Sequence, residues 1–427
     1  MTTAAHSQAS APSGGCPYSG LGTQYRAFEH EGAHEFFSRA RQEEPVFYSP
    51  EIDYWVVTRR EDVLAVMRDP DRFSASTTLE PVTPFPQELT SFLRENRFTI
   101  EPVQSNTDRP KHTRIRMAAG QFLNAKRYAS YYPQIQAMIE RDVAALKGRE
   151  TVDLIADLAY ELPARIVFML LGIHDVDPRQ IKRWGFNRAV LTWGHTPPEQ
   201  MMDAGRELNN FFQFSRELVE KRKAQPGDDY PSKLLEIRGG NDEVLTENEI
   251  VCLVFGIMLA GHEAVTAAMG NILYALLEEP AHWERLVEDP ALIPNAVEEG
   301  LRFNSGMFNW RRRATEDVVL GGVTVPKDAK ILVSLGSANR DDAHFTDPHT
   351  FDPARANARD HLAFGNGIHV CIGAPLARFQ MVGLLQTLVR EFPRMRLVPG
   401  QTPNWIRTIC PRGLTTLLAH PNGVPHA

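Results

Sequence analysis

The chain has 427 residues, of which 43% are hydrophobic and 23% are charged, and its formal net charge is -7 at pH 7. This balance is typical of a folded globular protein and excludes collagen-like, coiled-coil and wholly disordered chains. The acidic net charge weighs against nucleic acid or an anionic membrane as a partner.

The N-terminal residues and the cysteines indicate the compartment. Residues 1–20 are rich in Ala, Ser and Gly and lack the basic and apolar regions of a signal peptide, so we predict a disordered tail, followed by a single domain over residues 21–427. The longest strongly apolar run, residues 250–261, is shorter than the roughly 20 residues of a membrane-spanning helix. The cysteines lie far apart without a CxxC pair, which argues against a disulfide framework and predicts a cytoplasmic protein: Cys16, Cys252, Cys371 and Cys410.

An HExxH pattern occurs near the start of the predicted domain, at His30, Glu31 and His34. In zinc metalloproteases this pattern places two histidines one helical turn apart, with the glutamate as the base. Here the segment is short, contains Gly32 and has no convincing third ligand. We therefore interpret it as an exposed polar helix start.

The predicted elements make the protein mainly α-helical, with small β-sheets near its two ends. Residues 45–49 and 53–57 resemble paired strands, residues 318–325 predict a hairpin around Gly321 and Gly322, and residues 329–335 predict a further strand. Residues 110–303 have mostly helical periodicity, broken at several prolines.

One predicted helix, near residues 246–279, is much longer than average. Thr246 and Glu249 fit a capping box, and Glu279 followed by Pro280 predicts its end. At 1.5 Å per residue it would be roughly 45–50 Å long. A helix of this length must pass through the core of the protein.

The most specific stretch is FGNGIHVCIG, residues 364–373, which precedes a helical segment. Its glycines permit a tight turn close to a bulky ligand, and Cys371 lies just before a helix N-terminus, where the helix dipole stabilises a thiolate. A nucleotide-binding loop is disfavoured because the third glycine is missing and no strong strand precedes the stretch. Cys371 is therefore a candidate metal ligand.

This stretch resembles the haem-binding signature of the cytochromes P450, Phe-Gly-x-Gly-x-His-x-Cys-x-Gly, at each fixed position. The resemblance implies the P450 fold with a long central helix over a haem b group, Cys371 as the thiolate ligand of the iron, Phe364 packed beside the haem and His369 at a haem propionate. Thiolate ligation favours cleavage of the O–O bond, so O2 is the implied co-substrate.

Other P450 motifs follow from the same resemblance. Glu299 and Arg302 match the ExxR pair, which with Arg355 would form a structural brace behind the haem. His112 and Arg116 match an HxRxR segment, and Arg312 matches an arginine that binds a propionate. Arg311 and Arg313 compete for the role of Arg312, because one sequence does not settle the register.

The long helix departs from the family pattern at the residue after its acid. Glu263 stands where the family has its Asp or Glu, but Ala264 replaces the usual threonine. Thr266 lies two residues later, about 200° around the helix, and should not substitute for it. The usual route of proton delivery is therefore in doubt, and Glu263 is the predicted proton relay.

The finer resemblance is to haem domains of bacterial self-sufficient P450s fused to phthalate-dioxygenase-type reductases, and to their stand-alone relatives. It rests on residues 45–63, 293–302 and 310–317. We expect no fused reductase, and therefore electrons from a separate ferredoxin and its NAD(P)H-dependent reductase. The acid-free basic run from Arg109 to Arg127 is either a solvated face or the docking surface, with Arg114 facing outward to the partner.

These inferences predict a monooxygenase that hydroxylates or O-dealkylates a small apolar substrate. The predicted pocket has no fixed charge to bind a carboxylate, which favours a neutral aromatic compound or ether. Two alternatives are a peroxide-driven haem-thiolate enzyme, suggested by Ala264, and a non-catalytic haem sensor or carrier. The predicted pocket residues are Gly256, Leu259, Ala260, Ala264, Met307, Phe308 and Trp310.

Overall fold

The computed structural model describes residues 20–424, so the predicted tail and Cys16 lie outside the described residues apart from Gly20. Helices dominate the described part of the chain, as predicted. The α-helices are α1 Ala33–Glu43, α2 Arg60–Arg68, α3 Gln87–Glu95, α4 Lys111–Gly120, α5 Ala125–Ala144, α6 Leu162–Leu171, α7 Pro178–Trp193, α8 Pro198–Ala224, α9 Tyr230–Arg238, α10 Glu247–Ala260, α11 Glu263–Glu278, α12 Pro280–Glu288, α13 Ile293–Phe303, α14 Leu335–Ala338 and α15 Ala374–Glu391.

The strands are short and form small sheets. They are β1 Val46–Ser49, β2 Tyr54–Val57, β3 Phe73–Ser74, β4 Val152–Asp153, β5 Asn309–Ala314, β6 Val318–Leu320, β7 Val323–Val325, β8 Lys330–Ser334, β9 Arg396–Leu397 and β10 Leu418–His420. The largest sheet has the order β1-β2-β8-β5-β3, in which β2 and β8 are parallel. The predicted pairing of the first two strands is confirmed, as is the hairpin, which forms β6 and β7.

The long helix begins with the predicted capping box of Thr246 and Glu249, but it is not continuous. α10 ends at Ala260 and α11 starts at Glu263, so the prediction of a single helix is wrong at Gly261 and His262. A Cβ at Gly261 would lie 2.4 Å from the Val167 side chain, and the His262 ring packs against Gly185. Close packing of neighbouring helices therefore accompanies the break.

The stretch Glu247–Glu278 is long and apolar enough to cross a membrane, with a mean hydropathy of 1.9, but 67% of the relevant window is buried inside the protein. Burial of this kind is what the core helix of a globular protein shows. α11 packs against α13, and α13 packs against α15. These three helices bring the residues of the site together.

The interpretation of the HExxH segment as an exposed helix start is wrong. His30 is 5% exposed, and both ring nitrogens of His34 are buried. Both imidazole rings form T-shaped contacts with the Phe308 ring, with centroid distances of 5.8 Å for His30 and 5.4 Å for His34. Burial lowers the pKa of His34 well below its usual value, so the ring is neutral. No group of three or more potential metal ligands occurs among residues 20–424, which leaves the zinc interpretation unsupported.

Candidate functional site

The loop before α15 places Cys371 at the centre of the candidate site. Gly365 and Gly367 have φ angles of 73° and 70°, and a Cβ at Gly367 would lie 2.3 Å from the carbonyl oxygen of Met67, so glycine is required there. The Cys371 amide donates to the Phe364 carbonyl at 2.9 Å, which closes the loop. The thiol is thereby held just before the helix N-terminus.

The environment of the Cys371 thiol suits a metal ligand. Cys371 keeps accessible surface although it lies deep in the protein, so it faces an internal cavity. Burial raises the pKa of this thiol, while the N–H groups of Gly373 and Ala374 and the charge of Arg116 partly offset that effect. Without a further cation the thiol would stay protonated at neutral pH, and a bound metal ion supplies that cation.

Four donor side chains converge beside this loop. The rings of His112 and His369 lie 4.4 Å apart, and Arg116 donates to the Val370 carbonyl at 2.7 Å. Both ring nitrogens of His112, Nε2 of His369 and Nη2 of Arg312 are buried without a hydrogen-bond partner among the described residues. Buried donors left unpaired in this way are costly unless a ligand accepts from them.

The electrostatics of this cluster call for an anion. Burial, followed by the charge of Arg312, lowers the pKa of His369 to about 3, and burial lowers the pKa of Arg312 to about 10. Asp108 lies near Arg312, but its carboxylate already accepts from the Ser74 hydroxyl and from the Ala75 amide at 2.9 Å. The cluster therefore fits the two carboxylates of a haem whose iron lies at Cys371.

The register of the three consecutive arginines follows from their contacts. Arg311 donates to the Tyr54 hydroxyl at 3.2 Å and to the Glu80 carbonyl at 2.7 Å, and Arg313 reaches the Glu80 carboxylate at 3.3 Å. Arg312 alone of the three influences His369 and keeps a buried, unpaired Nη2. Its neighbours therefore do not compete for its role.

The predicted brace is formed. The Arg302 guanidinium donates to both Glu299 oxygens at 2.6 and 2.7 Å, and Nε of Arg355 donates to Glu299 at 3.0 Å. Glu299 and Arg302 are both 0% exposed. Arg302 also donates to the carbonyls of Asn339 and Pro348, so the brace ties α13 to the segment that leads to the cysteine loop.

A second buried ion pair, which sequence reasoning missed, stands next to the brace. Glu298 accepts from Arg378 of α15 at 2.7 Å and from His361 at 3.0 Å. Burial alone would raise the pKa of Glu298, but these hydrogen bonds outweigh it and lower the pKa to about 2. The Arg378 guanidinium lies 4.5 Å from the Phe364 ring centroid, so this pair supports the cysteine loop directly.

One face of the central helix borders the cavity. Gly256, Ala260 and Ala264 keep accessible surface and are spaced four residues apart, as one helix face requires. Leu259 is only 4% exposed and belongs to the core, which does not favour it as a pocket residue. A Cβ at Gly256 would meet nothing within 4 Å, so open space lies beside α10 there.

Of the predicted pocket residues just before and in β5, two keep accessible surface and one belongs to the core. Met307 and Trp310 are half-buried, and Trp310 lies 6.2 Å from Trp193 of α7. Phe308 is 1% exposed and packs against His30, His34 and Phe37 on the core side. Its side chain is thus occupied in the core.

Glu263 is held by charged neighbours. Its carboxylate lies 3.1 Å from Nζ of Lys182, which is 0% exposed, and 3.1 Å from Nδ1 of His262. Burial would raise the pKa of Glu263, but the charge of Lys182 outweighs this and lowers the pKa to about 2. Thr266 donates to the Ala159 carbonyl at 2.8 Å and accepts from Lys182, so its hydroxyl is engaged away from the position of Ala264.

The prediction that Arg114 faces outward to a partner is wrong. Its guanidinium makes a two-pronged ion pair with Glu249 at 2.6 and 2.8 Å, and Glu249 is 1% exposed because it belongs to the capping box of α10. Arg114 therefore anchors the central helix. The exposed cations of the basic run are Arg109 and Lys126, and the apolar residues Met117 and Val370 are also exposed, at 69% and 43%.

Comparison with known proteins agrees with this site. The Cytochrome P450 family model matches residues 192–408. The 6-deoxyerythronolide B hydroxylase of Saccharopolyspora erythraea is 31% identical over 86% of this chain and 89% of its own. Cytochrome P450 CREJ in complex with (4-ethylphenyl) dihydrogen phosphate is 33% identical with a TM-score of 0.90, over 93% of this chain and 98% of that one. The haem domain of a Tepidiphilus thermophilus P450 is 30% identical with a TM-score of 0.89, over 94% and 97%.

The fold and the site thus define a haem-thiolate oxygenase. The chain belongs to the bacterial cytochrome P450 family and is a P450 monooxygenase that uses haem and O2.

Proposed function

We propose that the chain binds haem b through Cys371 and inserts one oxygen atom of O2 into a small aromatic or otherwise apolar substrate. This proposal is carried by the convergence of Cys371 with Arg116 and with three buried side chains, His112, His369 and Arg312, that keep nitrogens without a hydrogen-bond partner. The haem, when bound, supplies the activation of O2 and the oxygen insertion.

The residues of this chain would have separate tasks. Arg116, Arg312, His112 and His369 hold the two haem carboxylates, and the face of Gly256, Ala260 and Ala264 leaves room for substrate. A relative with the same fold binds (4-ethylphenyl) dihydrogen phosphate, which supports an aryl compound of comparable size. Hydroxylation and O-dealkylation both follow from oxygen insertion at a carbon next to the ring or to an ether oxygen.

The electron supply is the second part of this proposal. Oxygen insertion with release of water consumes two electrons and two protons, and we propose a separate ferredoxin and reductase as their source. Arg109, Lys126 and Met117 are exposed, and we propose that they belong to one basic, partly apolar face that suits an acidic electron-transfer protein.

A peroxide-driven reaction is the alternative that Ala264 favours, because hydrogen peroxide already carries both electrons and both protons of the reaction, so that proton delivery from solvent through a hydroxyl at this position is not required. Product formed per minute with hydrogen peroxide, compared with NADH plus ferredoxin and reductase, decides between the two routes. A higher rate with the redox partners supports the monooxygenase route.

The ligand assignment is tested by Cys371→Ser. We expect this variant to bind haem weakly and to lose the red-shifted band of the reduced carbon monoxide adduct, because a serine oxygen does not replace the thiolate. Cys252→Ser and Cys410→Ser are matched controls that should keep the band, since both thiols are buried in the core away from the donor cluster. An unchanged band in Cys371→Ser would contradict the proposal.

A further inference from the structure

Arg188 is a buried cation without an anionic partner. It lies on α7, is 5% exposed and donates one hydrogen bond, from Nη1 to the Phe255 carbonyl at 2.9 Å. Its guanidinium carbon lies 3.9 Å from the Phe255 ring centroid. Burial lowers the pKa of Arg188 to about 9, and the one group that opposes this is the Cys252 thiol, which is neutral at pH 7 because its own pKa is raised to about 11.

Several other buried arginines of the described chain have an anionic partner or several acceptors, although Arg312 and Arg412 also keep a nitrogen without a partner. Arg302 has the Glu299 carboxylate, Arg222 has Asp229, and Arg311 binds the oxygens of Tyr54, Thr78 and Glu80. Arg188 has a single acceptor, and its Nε and Nη2 have no partner among residues 20–424. Neither nitrogen is fully enclosed by neighbouring atoms, so both keep accessible surface. Because the residue lies deep in the protein, that surface faces internal space.

The contacts along α7 show which residues surround the space next to Arg188. α7 runs antiparallel along the central helix: Lys182 contacts Glu263, Gly185 packs on His262, and Arg188 contacts Phe255. At the end of α7, Trp193 meets Trp310, which is in β5 with the propionate candidate Arg312. Arg188 therefore lies beside Phe255 of α10, between the contact of Lys182 with Glu263 and the contact of Trp193 with Trp310.

The adjacent residue on α10 marks open volume. Gly256 follows Phe255, and a Cβ at Gly256 would meet nothing within 4 Å. Lys182, the other buried cation of α7, is neutralised by Glu263. Arg188 is thus the charged donor that α7 leaves available at this part of the cavity.

We propose that Arg188 binds an anionic oxygen group of the substrate, a carboxylate or a phosphate ester, on the α7 and α10 side of the cavity. This inference rests on the proposed function and revises its substrate class from neutral to anionic. A guanidinium offers paired donors to either group, and exclusion of water strengthens the pair. Stacking on Phe255 and the bond to its carbonyl hold the guanidinium in place before substrate arrives.

The test uses three probes of similar shape: 4-ethylbenzoate, 4-ethylphenyl phosphate and the neutral 4-ethylbenzamide. Binding to the haem-loaded protein is measured by the ferric Soret shift and independently by calorimetry. We expect one or both anions to bind more tightly than the amide, and Arg188→Gln to weaken that anion roughly 10- to 100-fold, because a hydrogen bond to a charged group is worth about 1.5–3 kcal/mol. Binding of the amide should change less than about twofold. The anion that shows the larger loss identifies the group.

Three controls separate recognition from structure. Arg183→Gln removes an exposed arginine of the same helix and should leave all three affinities unchanged. Without ligand, Arg188→Gln should unfold at the same temperature as the parent or higher, since an unpaired buried charge is removed; a structural arginine would give a clear loss. Arg188→Lys should retain part of the preference for the anion.

The outcomes distinguish this inference from the proposed function. If the carbon monoxide band is present and neither anion binds more tightly than the amide, the assignment of Arg188 is overturned while the monooxygenase proposal stands. The same conclusion follows if Arg188→Gln weakens the three probes equally. If the band is absent from the parent protein, the proposed function itself fails.

Discussion

Glu263 is a carboxylate whose immediate neighbours oppose its protonation. Lys182 and His262 hold its pKa at about 2, so it is ionised at neutral pH. A group in that state delivers protons only if it first leaves Lys182 or if water beside it carries them. Ala264 next to it offers no hydroxyl, so a hydrogen-bonding group worth about 0.5–1.5 kcal/mol is missing at this position.

We expect Glu263→Gln to lower product formation about 10²-fold or more, because a positioned proton carrier contributes 10²–10⁴-fold. The same change leaves Lys182 buried and unpaired, which costs about 3–5 kcal/mol of stability. The double variant Glu263→Gln with Lys182→Met removes that cost. If the double variant recovers both stability and turnover, Glu263 is structural; if it recovers stability alone, Glu263 acts in proton delivery. Turnover is measured as product per NADH.

Ala264→Thr restores the hydroxyl that the family usually has. We expect weaker substrate binding, since the added side chain takes space above the iron, and little gain in product per NADH. A substantial gain in coupling without weaker binding would contradict this expectation and would make Ala264 a tolerated deficit. The Soret titration and the NADH balance measure the two quantities, and Thr266→Val serves as a control for the neighbouring hydroxyl.

At the scale of the elements, α13 carries two adjacent acids that serve two different connections. Glu299 binds Arg302 and Arg355, whereas Glu298 binds Arg378 of α15 and His361. The helix therefore couples the brace to the helix that follows Cys371. Arg378 is at once an ion-pair partner and a cation beside Phe364, so the loop and α13 are stabilised together.

This coupling predicts a dependence of stability on acid pH. The pKa of Glu298 falls from 4.5 to about 2 on folding, so its stabilisation is complete above pH 4.5, declines as the pH falls towards 2 and is lost below that. Glu298→Gln should lower the unfolding temperature at pH 7 and flatten the pH profile between these limits. Glu284→Gln, which removes a surface pair with Arg396, is the matched control and should cost no more than about 1 kcal/mol. Equal losses in the two variants would contradict the assigned coupling.

At the scale of the whole molecule, the basic run is divided between structure and surface. Arg114 and Lys111 anchor the buried Glu249 at the start of the central helix, and Arg127 pairs with Asp228. The remaining exposed charges of the run are Arg109, which precedes α4, and Lys126, which lies at the start of α5. A substitution meant to test partner docking must therefore be made at these two positions.

We expect the double variant Arg109→Glu with Lys126→Glu to be reduced about 10-fold more slowly by an acidic ferredoxin at low salt, with the difference fading as salt is raised. Lys327→Glu, an exposed charge near the β6–β7 hairpin, is the control and should not change the rate. The rate of reduction is measured by stopped-flow spectroscopy under carbon monoxide. Equal rates for parent and variant at low salt would argue against this docking face.

The local sequence was enough to predict the features whose cause is also local. The spacing of residues 364–373, the capping box at Thr246 and the hairpin at Gly321 and Gly322 depend on backbone requirements of neighbouring residues, so they could be predicted before the structure. The ExxR pair was also identifiable, because residues three apart share a helix face. These features were sufficient to identify the family.

Only tertiary packing decided the features in which distant segments meet. The break at Gly261 follows contacts with Val167 and Gly185, the partner of Arg114 is 135 residues away in the chain, and the histidines at positions 30 and 34 are buried by Phe308. In the sequence Arg188 cannot be distinguished from other helical arginines, and its burial is a result of the packing of α7 against α10. Whether a charged side chain is solvated, ion-paired or unpaired and available to a ligand depends on the residues that the fold places beside it. The residues adjacent to it in the sequence do not contain that information.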